Sequence, residues 1–363
     1  MIAIKSRFKD KRVLVTGHTG FKGAWLSAWL QDLGAKVSGI ALDPLTGSGL
    51  YNDSIINERM TDYRLDIRRA GDLDQLVQKI SPEIVFHLAA QPLVLRSYED
   101  PIETFETNIM GTSYLLESLR KVQHLQGVVC ITTDKVYENL ESSEGYVEDD
   151  RLGGYDPYST SKAASELVVS SYSRSFFNQK KVPLITVRAG NVIGGGDWAD
   201  NRLVPDFFRA LKNSATLEMR SPLSVRPWQH VMEPLSGYLA VAEAILSNKV
   251  DGYEAFNFGP KSDAQVPVSR IIDGLNDVVG RAPNAKKVDV RYVDPKHHET
   301  SLLWLNCTKS KDRLGWAPRL DIQSTLELTT EFYLANLAGV SKQGLRDMVT
   351  TQIQKYMERI PSL

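Results

Sequence analysis

The sequence predicts a doubly wound α/β fold on a parallel sheet, and three observations lead there. Apolar, β-branched runs alternate with segments whose apolar residues recur at helical spacing. The first such run ends in a glycine-rich loop that opens a helical segment. A later run, "EIVFHLAA" (83–90), is nearly all apolar, as a strand covered on both faces requires.

Taken in order, "RVLVTG" (12–17) is the first strand, and "GAWLSAWLQDLG" (23–34) is a helix that stops at Gly34. "KVSGIAL" (36–42) is the second strand and "YRLDI" (63–67) a weaker third. "AGDLDQLVQKI" (70–80) reads as helix, 83–90 as the fourth strand, and 102–122 as one long helix. "GVVCIT" (127–132) is the fifth strand, 157–177 another long helix, and "VPLITVRAG" (182–190) the sixth strand. This β-α-β order implies right-handed crossovers. Beyond residue 190 the pattern loosens, because "NVIGGGDWADNRLVPD" is too polar and Gly-rich for a sheet layer. Helix returns at 233–246 and strand at 253–260. The expected division is a dinucleotide-binding domain of residues 1–190 plus about 231–260. Residues 191–230 plus 261–363 would form a smaller, mixed α/β C-terminal substrate domain.

Length and composition narrow the function. The chain has 363 residues and a formal net charge of −1, which argues against general electrostatic binding to nucleic acid or an anionic membrane. Its two cysteines, Cys130 and Cys307, form no C-x-x-C pair, so neither a metal centre nor a disulfide framework is expected. No apolar stretch approaches the ~20 residues that span a bilayer, and "MIAIKSRFKDKRVLVTG" has no signal-peptide core. A soluble, cytoplasmic protein is expected.

"VTGHTGFKGAW" spaces Gly17, Gly20 and Gly23 as G-x-x-G-x-x-G between the first strand and first helix. Gly17 permits the tight turn, Gly20 lets backbone approach a pyrophosphate, and Gly23 lets the helix pack on the sheet. The helix N-terminus then offers free N–H groups to the phosphates. The sheet is therefore expected to be of the Rossmann type. An acidic residue about 20 positions on would bind the ribose 2′-OH of NAD, and Asp43 lies near that distance. No Arg or Lys occurs in "IALDPLTGSG" to hold a 2′-phosphate, which favours NAD over NADP. Asp66 can meet the adenine edge or serve as a helix-start carboxylate, and both roles stay open.

Tyr158 and Lys162, four apart in "YSTSK", share a helix face. A free tyrosine titrates near ~10, so about one in a thousand is ionised at neutral pH. A lysine ammonium and a cationic nicotinamide close by would lower that pKa and make the phenolate a base for a hydroxyl proton. Upstream, "ITTDKVY" (131–137) places Thr132, Thr133, Asp134 and Lys135 directly after an apolar run. Such a stretch is either a solvated turn or a sheet edge equipped with an acid and a base.

The glycine loop, Thr133 at the strand end and the Tyr158–Lys162 pair resemble the extended short-chain dehydrogenase/reductase family of nucleotide-sugar enzymes. More narrowly, "VTGHTGFKG", "HLAAQPLV", "GGYDPYS", "RAGNVIGGGDW" and "RPWQHV" look like the motifs of its 4,6-dehydratases that act on CDP-glucose. The likeness runs through both expected domains. It implies a lyase in which C4 of the glucose is oxidised, water leaves across C5 and C6, and hydride returns to C6. It also implies dideoxysugar and lipopolysaccharide O-antigen biosynthesis, and a homodimer or homotetramer built through the two long helices.

By the same resemblance, Thr133, Tyr158 and Lys162 carry the oxidation, Asp134 is the acid for the 6-OH and Lys135 the base at C5. Cofactor contacts are implied at Thr19, Phe21, Asp43, Asp66 and Ile67, and at Leu88, Ala89 and Ala90 after the fourth strand. Asn191, Arg202 and Arg226 are implied at the nucleotide-sugar phosphates, where an Arg fork suits a diphosphate. Gln91 either reaches the sugar or caps a turn, Lys135 is either a base or a solvated, phosphate-facing charge, and Trp228 is expected in a core. His297, His298 and Glu299 stand where relatives place a second phosphate-binding arginine, and no metal is expected there. CDP as the nucleotide rests on resemblance alone. A 4-epimerase, a dehydratase for another nucleotide-glucose and a non-catalytic dinucleotide-binding regulator are the competing functions.

Overall fold

The computed structural model describes residues 6–45, 47–140, 144–261, 265–281, 287–293 and 303–359. Its centre is a seven-stranded sheet. In chain order the strands are β1 (Arg12–Thr16), β2 (Lys36–Ala41), β3 (Thr61–Arg64), β4 (Ile84–His87), β5 (Gly127–Ile131), β6 (Leu184–Ala189) and β7 (Tyr253–Phe258). They lie side by side as β7-β6-β5-β4-β1-β2-β3, every neighbouring pair parallel. The chain reverses direction across the sheet between β1 and β4, the switch point where such sheets bind ligands beyond the carboxyl ends of their strands.

Side chains along these strands alternate between two cores, as the pleat dictates. Val13, Val15, Phe86, Ile131 and Val187 face one core, while Leu14, Val85, Val128, Cys130 and Leu184 face the other. The second core is closed by α2 (Ala70–Ile80), α3 (Gly111–Leu119) and α4 (Pro157–Tyr172). The first is closed by α1 (Phe21–Asp32) and α6 (Met232–Leu246). Helix α1 is buried continuously from Gly23 to Leu30, as expected of a helix that is apolar all round. Its outer side packs on α9 (Lys342–Glu358) near the end of the chain. Trp29 meets the Tyr356 ring edge-on with centroids 5.8 Å apart, and the buried Arg346 guanidinium donates to Asp32 Oδ1 at 2.7 Å. Truncating one such tryptophan costs about 3–5 kcal/mol, so α9 braces the helix whose start carries the glycine loop.

Each of the two long helices of the sequence is interrupted. Residues 101–105 are α-helical, Glu106–Met110 form a π-helical turn, and α3 follows. The wider turn sets Asn108 between two elements: its amide donates to Ser161 Oγ at 2.8 Å and accepts from the Gln91 backbone N–H at 2.8 Å. Helix α4 likewise passes into a π turn at Ser173–Phe177. It starts cleanly, with Pro157 in the first turn and a capping box between Asp156 and Ser159.

A third core gathers residues of α5 (Leu203–Asn213), α7 (Val268–Val279) and α8 (Ile322–Leu337). Phe208 stacks on Tyr333 at 4.0 Å, and Trp228 is buried in the same cluster, as expected. Short ladders tie 192–193 to 229–230 and 217–220 to 290–293. Among the described residues no helix is long and apolar enough to cross a membrane.

Candidate active site

One cleft of about 930 Å³ opens over the carboxyl ends of β1, β4, β5 and β6, and all the residues singled out above for cofactor, catalysis and substrate line it, apart from His297, His298 and Glu299. Those three lie outside the described residues.

At the β1 end the glycines have separate reasons. Gly17 has φ +76°, and a Cβ there would sit 2.7 Å from the Ala89 backbone nitrogen. A Cβ on Gly23 would lie 2.1 Å from Gly17 O, so no other residue fits. Gly20 is different, because its Cβ would meet only Gly17 O at 3.4 Å, an ordinary contact. Nothing inside the protein requires glycine there, so the requirement faces the cleft. Gly20 is also the N-cap of α1 and supplies no side-chain cap, which leaves the first N–H groups of the helix for an anion. These features fit a dinucleotide pyrophosphate. Thr19 Oγ1 donates to Leu42 O at 3.0 Å and ties the loop to the end of β2.

Asp43 stands at the rim of the cleft with its side chain 86 % exposed and pairs with Arg64 Nε at 3.0 Å. Arg64 was invisible as a partner in the sequence; the register Ala41↔Arg64 between β2 and β3 brings it there. Its guanidinium also bonds Tyr51 OH at 2.9 Å and Asp62 at 2.9 Å. Asp66 is held bidentately by Arg68, with Nη2 to Oδ2 at 2.6 Å. Burial raises the pKa of Asp66, but the Arg68 hydrogen bonds and charge outweigh it and leave the carboxyl below its usual value. Asp66 Oδ1 also accepts the Arg68 backbone N–H at 2.9 Å, and the N-cap of α2 is Arg69.

At the catalytic end, Thr133 follows β5 and its hydroxyl donates to Asp134 Oδ1 at 3.0 Å. Lys162 is 6 % exposed and donates to Ile131 O at 2.7 Å. Burial lowers its pKa to about 8, against the raising influence of Cys130 and Glu166. Lys162 does not lower the Tyr158 phenol as expected: within the chain alone the pKa is pushed up to about 12. Desolvation is the main cause; the neighbouring Thr133 hydroxyl and the Arg202 charge oppose it, while Asp134 adds to it. The helix spacing puts Lys162 on the right face, but the ammonium is drawn to a carbonyl at the end of β5, so the chain alone holds Tyr158 as a phenol.

Asp134 is 3 % exposed, and burial raises its pKa against Lys135, the Thr133 hydrogen bond, Lys22 and Arg226. Desolvation therefore wins over attraction at this carboxylate. It packs so closely on Gly190 that a Cβ there would lie 2.9 Å from Oδ2. Lys135 is half-buried beside it.

Lys22 was missed. It sits between Gly20 and Gly23, lines the cleft, and its pKa falls to about 8 through burial and the nearby Arg202 and Lys162 charges, opposed by Asp134 and Asp197. The available signal was a cation in the first turn of a helix, where the dipole disfavours it. Arg202 pairs with Asp197 at 2.8 Å and acts on Tyr158, while Arg226 acts on Asp134. Asn191 lines the same cleft, its carbonyl taken by the Gln229 N–H at 3.0 Å. Gln91 resolves to the turn-capping alternative: its amide donates to Thr104 Oγ1 at 2.9 Å and Leu93 O at 3.1 Å, and its oxygen accepts from Leu93 N at 2.7 Å.

Comparison with known proteins sets this site among relatives. The family model described as GDP-mannose 4,6 dehydratase matches residues 14–329. CDP-glucose 4,6-dehydratase of Salmonella typhimurium is 45 % identical over 343 residues, 92 % of this chain and 94 % of that one. A dTDP-glucose 4,6-dehydratase from Streptomyces venezuelae, solved with NAD bound, is similar with TM-score 0.76 and 25 % identity, covering 90 % of this chain and 98 % of its own. UDP-glucuronic acid 4-epimerase from Bacillus cereus, in complex with UDP-glucuronic acid and NAD, has TM-score 0.76 and 25 % identity, covering 89 % and 99 %. Dehydratase and epimerase share this fold, so the fold does not choose between them and the site must.

Proposed function

The chain belongs to the GDP-mannose 4,6-dehydratase family, within the extended short-chain dehydrogenases/reductases, and from that premise we propose that it is an NAD-dependent hydro-lyase converting CDP-glucose to CDP-4-dehydro-6-deoxyglucose. The observation that carries the elimination is Asp134, a carboxyl buried at the mouth of β5 with its pKa raised, between Thr133 and Lys135. A 4-epimerase has no need of a buried acid beside its Thr and Tyr.

The backbone around Gly17, Gly20 and Gly23 would hold the cofactor pyrophosphate, Asp43 a ribose, Asp66 and Ile67 the adenine edge, and Leu88 to Ala90 the middle of the dinucleotide. Bound NAD supplies the hydride acceptor for C4, the donor for C6, and a positive charge in the cleft. Tyr158 accepts the proton of the sugar 4-OH while Thr133 hydrogen-bonds the same oxygen. With a pKa near about 12, only about one Tyr158 in 10⁵ is ionised at pH 7, so the added positive charge is what makes it a base. Lys162, with a pKa of about 8, stays about nine-tenths protonated at pH 7 and keeps an ammonium behind the tyrosine. Once C4 is a ketone the C5 proton is acidic; Lys135 removes it and gives a proton back to C5 once C6 has been reduced. Asp134, kept protonated more readily by burial, delivers its proton to the departing 6-OH. Arg202 and Arg226 grip the diphosphate, with Asn191 between them.

The division into a dinucleotide domain and a substrate domain, given above, belongs to this proposal, as does a cytoplasmic enzyme of deoxysugar and O-antigen synthesis. So does assembly into a dimer or tetramer through the helices that carry exposed Ile102, Met110 and Leu167. The test is incubation with NAD and CDP-glucose labelled with deuterium at C4. The expected product is lighter by one water and carries the label at C6. A C4 epimer of unchanged formula would refute the dehydratase, and faster turnover of UDP- or dTDP-glucose would refute the nucleotide assignment.

A further inference from the structure

We propose that the buried ion pair of Glu166 and Arg188 is a clamp that positions the acid–base segment Thr133–Lys135, making both positioning residues for the elimination. The inference rests on the dehydratase proposal for its kinetic consequence, but the clamp itself is a matter of geometry.

Tyr158, Lys162 and Glu166 succeed one another every four residues along α4, so they form one stripe that descends from the cleft into the sheet. Lys162 holds Ile131 O, and one turn deeper Glu166 Oε1 accepts from Thr132 Oγ1 at 2.6 Å. The carboxylate also takes Arg188 Nε from β6 at 2.8 Å, and both side chains are sealed from solvent, 0 % and 2 % exposed. Arg188 then reaches forward. Its Nη1 donates to Tyr137 OH at 2.6 Å, its guanidinium lies 4.7 Å from the centre of that ring, and Tyr137 OH donates on to Asn257 Oδ1 at 2.8 Å. Thr132 and Tyr137 are the residues that bracket Thr133, Asp134 and Lys135. One ion pair therefore holds the catalytic stretch at its two ends, through the anion at one and the cation at the other.

A buried ion pair is weak grounds for stability, since apolar residues of equal volume usually serve as well. What apolar residues could not do is place hydroxyls 132 and 137 at fixed points. Catalysis of an elimination by two groups in neighbouring positions is sensitive to placement, and a displacement of about 1 Å can cost about 100-fold in rate.

The experiment leaves the ion pair intact and cuts its two links, with Thr132→Val and Tyr137→Phe, and includes Thr132→Ser as the conservative restoration. Turnover of CDP-glucose is expected to fall about 10- to 100-fold in the first two. The deuterium isotope effect from C5 should rise above wild type while that from C4 does not, and Thr132→Ser should recover both turnover and isotope effects. A fall in turnover with unchanged isotope effects, or an equal fall in Thr132→Ser, would overturn the clamp. Amide hydrogen exchange without substrate tests it independently of the reaction. Faster exchange confined to residues 133–135 in Thr132→Val and Tyr137→Phe supports it; unchanged exchange there overturns it. Wild-type enzyme that releases no water from CDP-glucose would sink the dehydratase proposal and leave the exchange result to judge the clamp.

Discussion

Gly190→Ala tests the placement of Asp134 with a single methyl group. The Cβ would lie 2.9 Å from Asp134 Oδ2 and 3.1 Å from Pro227 Cγ, where ordinary contact begins at 3.4 Å. Restoring ordinary contact moves the carboxylate by about 0.5 Å, because Pro227, the other close neighbour, is held in a strand paired with 265–267. Gly190 has no positive φ, so the effect is steric rather than backbone strain. If about 1 Å of misplacement costs about 100-fold, half of that costs about 10-fold, or ~1.4 kcal/mol of transition-state stabilisation. Overpacking adds about 1–3 kcal/mol of lost stability. The assays are water loss from CDP-glucose and thermal unfolding. Adding Asp134→Ala to Gly190→Ala empties the space, so stability should return while turnover should not, a non-additivity expected of touching residues. Wild-type turnover in Gly190→Ala would refute the reasoning, since it would mean the position of Asp134 is of no consequence.

Four further outcomes are expected. Lys135→Ala should lower water loss by about 10²–10⁴-fold and abolish exchange of the C5 proton with solvent; full turnover would rule out Lys135 as the base. Activity should decline as pH rises through about 8, where Lys162 gives up its proton, and Lys162→Arg should remove that alkaline limb from the kcat profile if the positive charge is what matters. The linked stability runs the other way: the folded-state pKa lies below the unfolded value, so the penalty for a buried ammonium is present at neutral pH and is relieved between about 8 and the unfolded value. Gln91→Leu should lower the melting temperature by leaving the Leu93 N–H unpaired, at about 1–3 kcal/mol, with KM for CDP-glucose unchanged; a raised KM at full stability would make it a sugar contact. Leu167→Glu should reduce the mass seen by light scattering to that of a monomer, whereas an unchanged assembly would exclude that helix face as the interface.

The elements best read in advance were those whose evidence is local. Helix 70–80 stands where its apolar spacing put it, and the strands at 12–16, 36–41 and 127–131 end within a residue of expectation. Periodicity and glycine spacing are properties of adjacent residues, and the chain carries them whatever surrounds it. The π turn at 106–110 has no such signature, because it is set by Asn108 bonding to Gln91 and Ser161 from other elements.

The site divides along the same line. Residue types and spacings picked out Gly17, Gly20, Gly23, Tyr158 and Lys162, the family resemblance gave Thr133, Asp134 and Lys135 their roles, and all of them line one cleft. Their protonation was beyond reach, because a pKa is a balance of burial against partners at a distance. Only the folded chain decided that Lys162 bonds Ile131, that Tyr158 stays a phenol, and that desolvation outweighs attraction at Asp134. Arg64, Lys22 and the Glu166–Arg188 clamp belong to the same class. Strand register and helix packing bring these charges to their partners, and in a low-dielectric interior each added neighbour changes what the others do.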